Sequence, residues 1–230
     1  MKYFMEKYNL EKFISGCTQL NVSLSDRQTE QFVAYYELLS EWNSFMNLTA
    51  ITEFDEVVTK HFIDSISLIK AVDLTKELSV IAFPDLKIAL LDSLNKRVKF
   101  LNEVIDTLKL KNIDAFHGRA EDAAKSLDLR ENFDLCVSRA VANLSTLSEY
   151  CLPFVKTGGF FISYKSEKVM EEKDAAKRAV SILGGEFFKQ VEFTLPDSDI
   201  YRNLFIIQKK KNTPKKYPRK AGLPSKEPIK

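Results

Sequence analysis

An alternation of apolar runs and helix-spaced stretches between Leu86 and Ala140 constrains this chain more than any other feature. LKIALLDS (86–93) is an apolar run ending on a carboxylate, and NKRVKFLNEVIDTLKL (95–110) sets Val98, Leu101, Val104, Ile105 and Leu108 at helical spacing, which makes one buried stripe. NIDAFHGRAED (112–122) and FDLCVSRA (133–140) repeat the apolar runs, with a helix-like segment between them. Strand, helix, strand, helix, strand predicts a parallel α/β sheet. Such a sheet binds ligands beyond the carboxyl ends of its strands. The residues to read are therefore Asp92 and Ser93, then Arg119, Ala120 and Glu121, then Ser138 and Arg139. An ionised carboxylate at such an end can accept both hydroxyls of a ribose, because it offers acceptors on two oxygens. Asp92 fits that role, and it equally fits a helix cap on a surface turn.

At 230 residues, 45% hydrophobic and 29% charged, the chain can bury one sizeable core with a small helical appendage. No apolar run approaches the roughly 18 residues that span a membrane, and the start MKYFMEKYNL is too charged for a secretory leader, so a cytoplasmic protein is expected. Cys17, Cys136 and Cys151 are odd in number, lack CxxC spacing and sit within apolar patterns. They read as reduced core residues, with neither disulfides nor a metal site expected. The net charge of +2 hides a division: residues 209–230 hold nine Lys or Arg and one Glu, leaving 25 basic and 31 acidic residues before them. A basic, proline-containing tail of this kind is expected not to fold alone and to be drawn to a polyanion such as RNA. A solubilising tail is the other reading.

Taken in order, the chain begins with helices. Ser25 is a candidate N-cap for a helix that carries Phe32, Tyr35, Tyr36, Leu39 and Trp42 on one face and stops near Asn43. NSFMNLTAIT reads as a loop in which Asn47 and Thr49 bond to the backbone. EFDEVVTKHFIDSISLIKAV is a second helix with Val58, Phe62, Leu68 and Ile69 inward, and His61, Asp64 and Ser65 fall at i, i+3 and i+4 on one surface. That trio suits a structural hydrogen bond or an RNA-facing patch better than a catalytic dyad. Later, NLSTLSEYCLPFVK reads as a helix broken by Pro153 and the TGG turn (157–159), and FFISY as a strand ending on Lys165. A helix closed by Gly184 follows, then two β-rich runs that suit a closing antiparallel pair.

WNSFMNLTAIT, the HFIDS helix, LLDSLNKRVKFL, HGRAED, VSRAVANL, the PFVKTGG turn and the tail KKYPRKAGLPSKEPI together resemble the glucose-inhibited-division B family. The resemblance runs from about Glu41 to the end. It implies a bacterial small-subunit ribosomal RNA methyltransferase that uses S-adenosyl-L-methionine on guanine N7 of 16S rRNA, free or in the small ribosomal subunit. It also implies a Rossmann-like class I methyltransferase sheet, parallel with one antiparallel strand, behind an N-terminal helical extension. The expected divisions are 1–72 for the extension, 73–208 for the methyltransferase domain and 209–230 for the basic tail. By position, the resemblance sets Asp92 and Ser93 near the cofactor ribose, Ala120 and Glu121 against the adenine, and Arg139 at the border of the cofactor site as a positioning residue. A salt bridge holding the sheet edge is the plainer role for Arg139. Arg97, Lys165, Arg202, Lys216, Arg219 and Lys220 are expected to flank the same edge and grip RNA phosphate.

The chain also departs from that family. A methyltransferase of this fold holds the methionine end of its cofactor on a Gly-rich loop after the first strand, where only bare backbone allows close approach. The family pattern sets an apolar strand, a DxGxGxGxPG run and a short helix before IAFPDLK. Here ELSV runs directly into IAFPDLK, and no glycine lies between Gly16 and Gly118. The chain as read omits the segment, has truly lost it, or has diverged from cofactor binding altogether. Omission is the expectation, because loss of a central strand would leave ladder groups unpaired in the core. A Cα–Cα separation well beyond about 3.8 Å near Val80 or Ile81 would mark it. The alternatives to a methyltransferase are a catalytically inactive RNA-binding or ribosome-assembly module and a nucleotide-dependent oxidoreductase.

Overall fold

The computed structural model describes residues 7–71, 86–139, 142–165 and 170–230, so the Val80–Ile81 junction and the expectation attached to it lie outside the described residues. After α1 (Glu11–Gln19), Ser25 opens the long helix α2 (Asp26–Met46). Its hydroxyl accepts the Gln28 amide while the Gln28 side chain accepts the Ser25 amide, a capping box that satisfies two of the donors a helix start leaves open. The helix runs past Asn43 and ends at Asn47, whose φ of 50° is left-handed, a conformation Asn tolerates. Asn43 Oδ1 accepts the amides of Leu48 (2.6 Å) and Thr49 (2.8 Å), and this folds the start of NLTAIT back on the helix end.

The second helical stretch is composite. It consists of α3 (Phe54–Val57), a π-helical turn (Val58–Ile63), α4 (Asp64–Ile66) and a 3₁₀ turn (Ser67–Lys70). The π turn changes the angular spacing. Asp64 is consequently buried while Ser65 faces solvent, which corrects the expected shared surface of His61, Asp64 and Ser65.

Packing divides the chain into two compact units, Met1–His117 with Thr194–Ile200, and Gly118–Phe193 with Tyr201–Lys230. In the first, β1 (Ile88–Asp92) runs parallel to β2 (Ile113–His117), joined by α5 (Asn95–Thr107), with the register running from Ile88 opposite Ile113 to Asp92 opposite His117. Phe13, Phe32, Phe62 and Ile66 form the core of this unit with Phe100 and Val104 of α5. Ring centroids of Phe13–Phe32 and Phe32–Phe62 lie 4.9 and 5.1 Å apart, a spacing at which tilted aromatic pairs attract.

The second unit holds the larger sheet, in the order β3 (Phe133–Ser138), β4 (Val155–Lys165), β6 (Tyr201–Lys209), β5 (Gly185–Thr194). β3 and β4 are parallel and β6 is antiparallel to β4, which is the predicted combination of a parallel sheet with one reversed strand. Its helices are α6 (Ala120–Ala123), α7 (Leu144–Cys151), α8 (Met170–Ile182) and the short α9 (Leu223–Lys226). The core joins Leu144, Leu147 and Leu152 to Phe161, Val180, Phe205 and Ile207. TGG lies inside β4 rather than ahead of it: the register moves from Phe133 opposite Val155 to Leu135 opposite Phe160. Gly158 takes φ 92°, and a Cβ on Gly159 would lie 2.4 Å from the Asp134 carbonyl oxygen. Only glycine allows this bulge.

Residues 209–230 are not a loose arm. Lys209 is fully buried, donating to the Leu152 carbonyl (2.6 Å) and Thr213 Oγ1 (2.7 Å) with Glu131 at 3.1 Å. Burial holds its pKa below the ordinary lysine value against the opposing pull of Glu131. Composition described the tail as a sequence alone in water and could not register the acids waiting for it in the fold. No described helix is long and apolar enough to cross a membrane.

Candidate functional site

Asp92 ends β1, with its side chain 24% exposed. Oδ1 accepts the Leu94 amide at 2.8 Å and Oδ2 faces Arg97 Nη1 at 3.4 Å. The two readings of this residue are thus compatible, because each carboxylate oxygen has a second lone pair after capping the turn into α5. Ser93 follows, exposed, with its carbonyl 3.2 Å from His117 Nε2. His117 received no role from sequence. The signal that would have found it is the parallel pairing of Asp92 with His117, which sets the imidazole beside the turn.

Ala120 and Glu121 open α6 in the second unit. The Glu121 carboxylate is 4% exposed and accepts the Gly222 amide at 2.7 Å. Arg139 follows the last residue of β3 and is exposed. The structure thus groups Asp92, Ser93, Arg97 and His117 in one unit and Ala120, Glu121 and Arg139 in the other.

Glu149 escaped the sequence reading, although an acid within LSTLSEYC on a helix facing the core was a visible signal of a buried pair. It is fully buried on α7. Arg219 Nε lies 2.9 Å from its Oε1 and Nη2 lies 2.7 Å from its Oε2, and the Arg219 amide adds a third bond at 2.8 Å. Those bonds raise the Arg219 pKa above its ordinary value. A forked guanidinium matches a carboxylate in this way where an ammonium cannot. Burial also pushes the Tyr150 phenol up, beside the Ser225 hydroxyl.

The cations expected to grip RNA fall into two groups. Lys165 Nζ is held by Glu172 and the Ala142 carbonyl, with its side chain 10% exposed, and Arg219 is held by Glu149. Arg202 is half-buried and donates to the Tyr201 carbonyl. Arg97, Lys216 and Lys220 are exposed. Among the described residues no cluster of three or more His, Cys, Asp or Glu could hold a metal ion, and all three cysteines are free thiols.

The profile of the family described as GidB, rRNA small subunit methyltransferase G, matches residues 28–201. Ribosomal RNA small subunit methyltransferase G of Lachnoclostridium phytofermentans is 53% identical over 232 residues, covering 94% of this chain and 96% of that protein. The protein of the same name from Alkaliphilus metalliredigens is 48% identical over 230 residues, at 94% and 96% coverage. That of Clostridium botulinum strain Loch Maree is 45% identical over 241, at 98% and 100%. Because 94% of 230 residues is about 216 while the first alignment spans 232, that relative carries about 16 residues with no counterpart here. With that profile matched over residues 28–201 and a relative 53% identical over 94% of it, the chain belongs to the rRNA small subunit methyltransferase G family.

Proposed function

We propose that the protein transfers a methyl group from S-adenosyl-L-methionine to guanine N7 of 16S ribosomal RNA, acting in the cytoplasm where that RNA resides. The observation that carries this reading is the 53% identity extending over 94% of the chain. The residues present suit the adenosine end of the cofactor in kind. Asp92 keeps acceptor capacity for a ribose diol at the carboxyl end of a parallel strand. Ala120 and Glu121 follow β2 at the corresponding end and would lie against the adenine, with Ser93 beside the ribose and Arg139 at the border. When bound, the cofactor supplies an activated methyl group. Guanine N7 carries a lone pair and no proton, so no side chain of this chain is needed as a general base, and its residues serve to align and to exclude water.

Arg97, Lys216 and Lys220 would contact RNA phosphates, a sequence-independent contribution that weakens with salt. Calorimetry of the full chain with S-adenosylhomocysteine, paired with methyl incorporation into 16S rRNA, tests the proposal. Binding heat that falls at least about tenfold in affinity with Asp92→Ala is expected, since the diol then loses a charged acceptor. A chain that gives no binding heat and no incorporation sinks it.

A further inference from the structure

α6 is a single turn of four residues, too short to hold its own conformation, since one turn fixes several dihedrals for very few hydrogen bonds. Something else must orient Ala120 and Glu121. The Glu121 carboxylate is clasped by the Gly222 amide, 101 residues further along the chain. Gly222 has φ 84°, the left-handed geometry that glycine adopts without steric cost.

What holds Gly222 in place lies on both sides of it. Three residues earlier, Arg219 grips the buried Glu149 through its side chain and its amide, and its Nη2 also donates to the Glu227 carbonyl at 2.8 Å. Two residues later, the Pro224 carbonyl accepts Thr146 Oγ1 at 2.9 Å. Upstream, Arg130 donates to the carbonyls of Thr213 (2.7 Å) and Tyr217 (3.0 Å). Glu149 and Thr146 both stand on α7, so the segment from Thr213 to Glu227 is a strap tied to α7 and reaching Glu121.

We infer that Arg219 is a positioning residue for Ala120 and Glu121: its pair with Glu149 seats the strap on α7, and the seated strap presents the Gly222 amide that fixes the Glu121 carboxylate. This rests on the proposed place of Ala120 and Glu121 against the adenine. It gives the basic tail a part in holding the cofactor besides any contact with RNA. Glu149 is the better anchor because it is fully buried: leaving its charge without a partner is costly, so the strap is strongly biased to its docked state.

The test compares Arg219→Ala, Arg219→Lys and Glu121→Ala in the full chain, reading affinity for S-adenosylhomocysteine by calorimetry, the melting temperature, and KM for the methyl donor against kcat on 16S rRNA. Arg219→Ala is expected to weaken cofactor affinity and raise KM by about tenfold with kcat nearly unchanged at saturation. Arg219→Lys recovers part of the loss, because it keeps the charge without the fork. Unchanged affinity in Arg219→Ala, while Glu121→Ala binds weakly, overturns the positioning role and leaves the adenine reading standing. Unchanged affinity in Glu121→Ala overturns both. A fall in kcat with no rise in KM likewise overturns the inference, as damage of another kind. Should Arg219→Ala fail to fold, Arg219→Lys and Glu149→Gln carry the same comparison, and wild-type affinity in both overturns the role.

Discussion

IALLD in β1 and FFISY in β4 are equally apolar words, yet they occupy different environments. Leu91 is 36% exposed and its β2 neighbour Phe116 40%, whereas Phe161 and Ile162 are fully buried, as are Leu204, Phe205 and Ile207 on the adjoining β6. β4 lies between β3 and β6, while β1 pairs with β2 alone among the described residues. A strand in a parallel sheet is buried by neighbours on both edges and cover on both faces. An apolar run therefore predicts strand, and its burial depends on what stands beside it.

The contrast can be broken by experiment. Phe205→Ala should lower stability by about 3–5 kcal/mol, and Leu91→Ala by about 1 kcal/mol or less, in urea unfolding. Equal costs would mean that the two sheets share one environment. Removing the ammonium with Lys209→Ala should cost about 3 kcal/mol in the same measurement, because the part-buried Glu131 is left without its cation and the Leu152 carbonyl without its donor. Native-state hydrogen exchange should be faster by about tenfold or more for amides of Ala89–Leu91 than for those of Phe161–Tyr164. Similar protection in both would show β1 to be as firmly held as β4.

Smaller effects sharpen the picture of the first unit as one held by its helices. Ser25→Ala removes the hydroxyl that accepts the Gln28 amide, while the Ser25 amide can still reach the Gln28 side chain, and should cost about 1 kcal/mol, lowering the melting temperature of the whole chain. Asp197 gives the least. Gln19 and Ser15 donate to its carboxylate and hold its pKa below the ordinary value. The folded state thus binds that proton less readily than the unfolded one. Its contribution is present above the usual carboxylate range and is lost as pH falls through the lowered value. Asp197→Asn should flatten the fall in melting temperature as pH drops below the ordinary carboxylate range, and an unchanged slope would assign the acid sensitivity elsewhere.

Much of the architecture was legible because it is written locally. The capping box at Ser25, the stripe on α5 and the strand ends at Asp92 and Ser138 all follow from residues within a few positions of one another. The π turn was not, because residues 58–63 carry an ordinary helical pattern. The TGG bulge was read as a turn since Gly-Gly marks both, and only the register against Phe133 and Leu135 separates them.

By itself the sequence determined the strand–helix alternation, the closing pair of β-rich runs and the family, since periodicity, capping and ordered motifs survive without three-dimensional context. The tertiary structure alone decided that the basic tail is a docked strap and that Glu121 is held by Gly222. It likewise decided that Arg219 and Lys165 face carboxylates, while Lys216 and Lys220 face solvent. The physical reason is distance along the chain. Glu149 meets Arg219 across 70 residues and Glu121 meets Gly222 across 101, so whether a charge is paired and buried is set by groups that no local pattern connects.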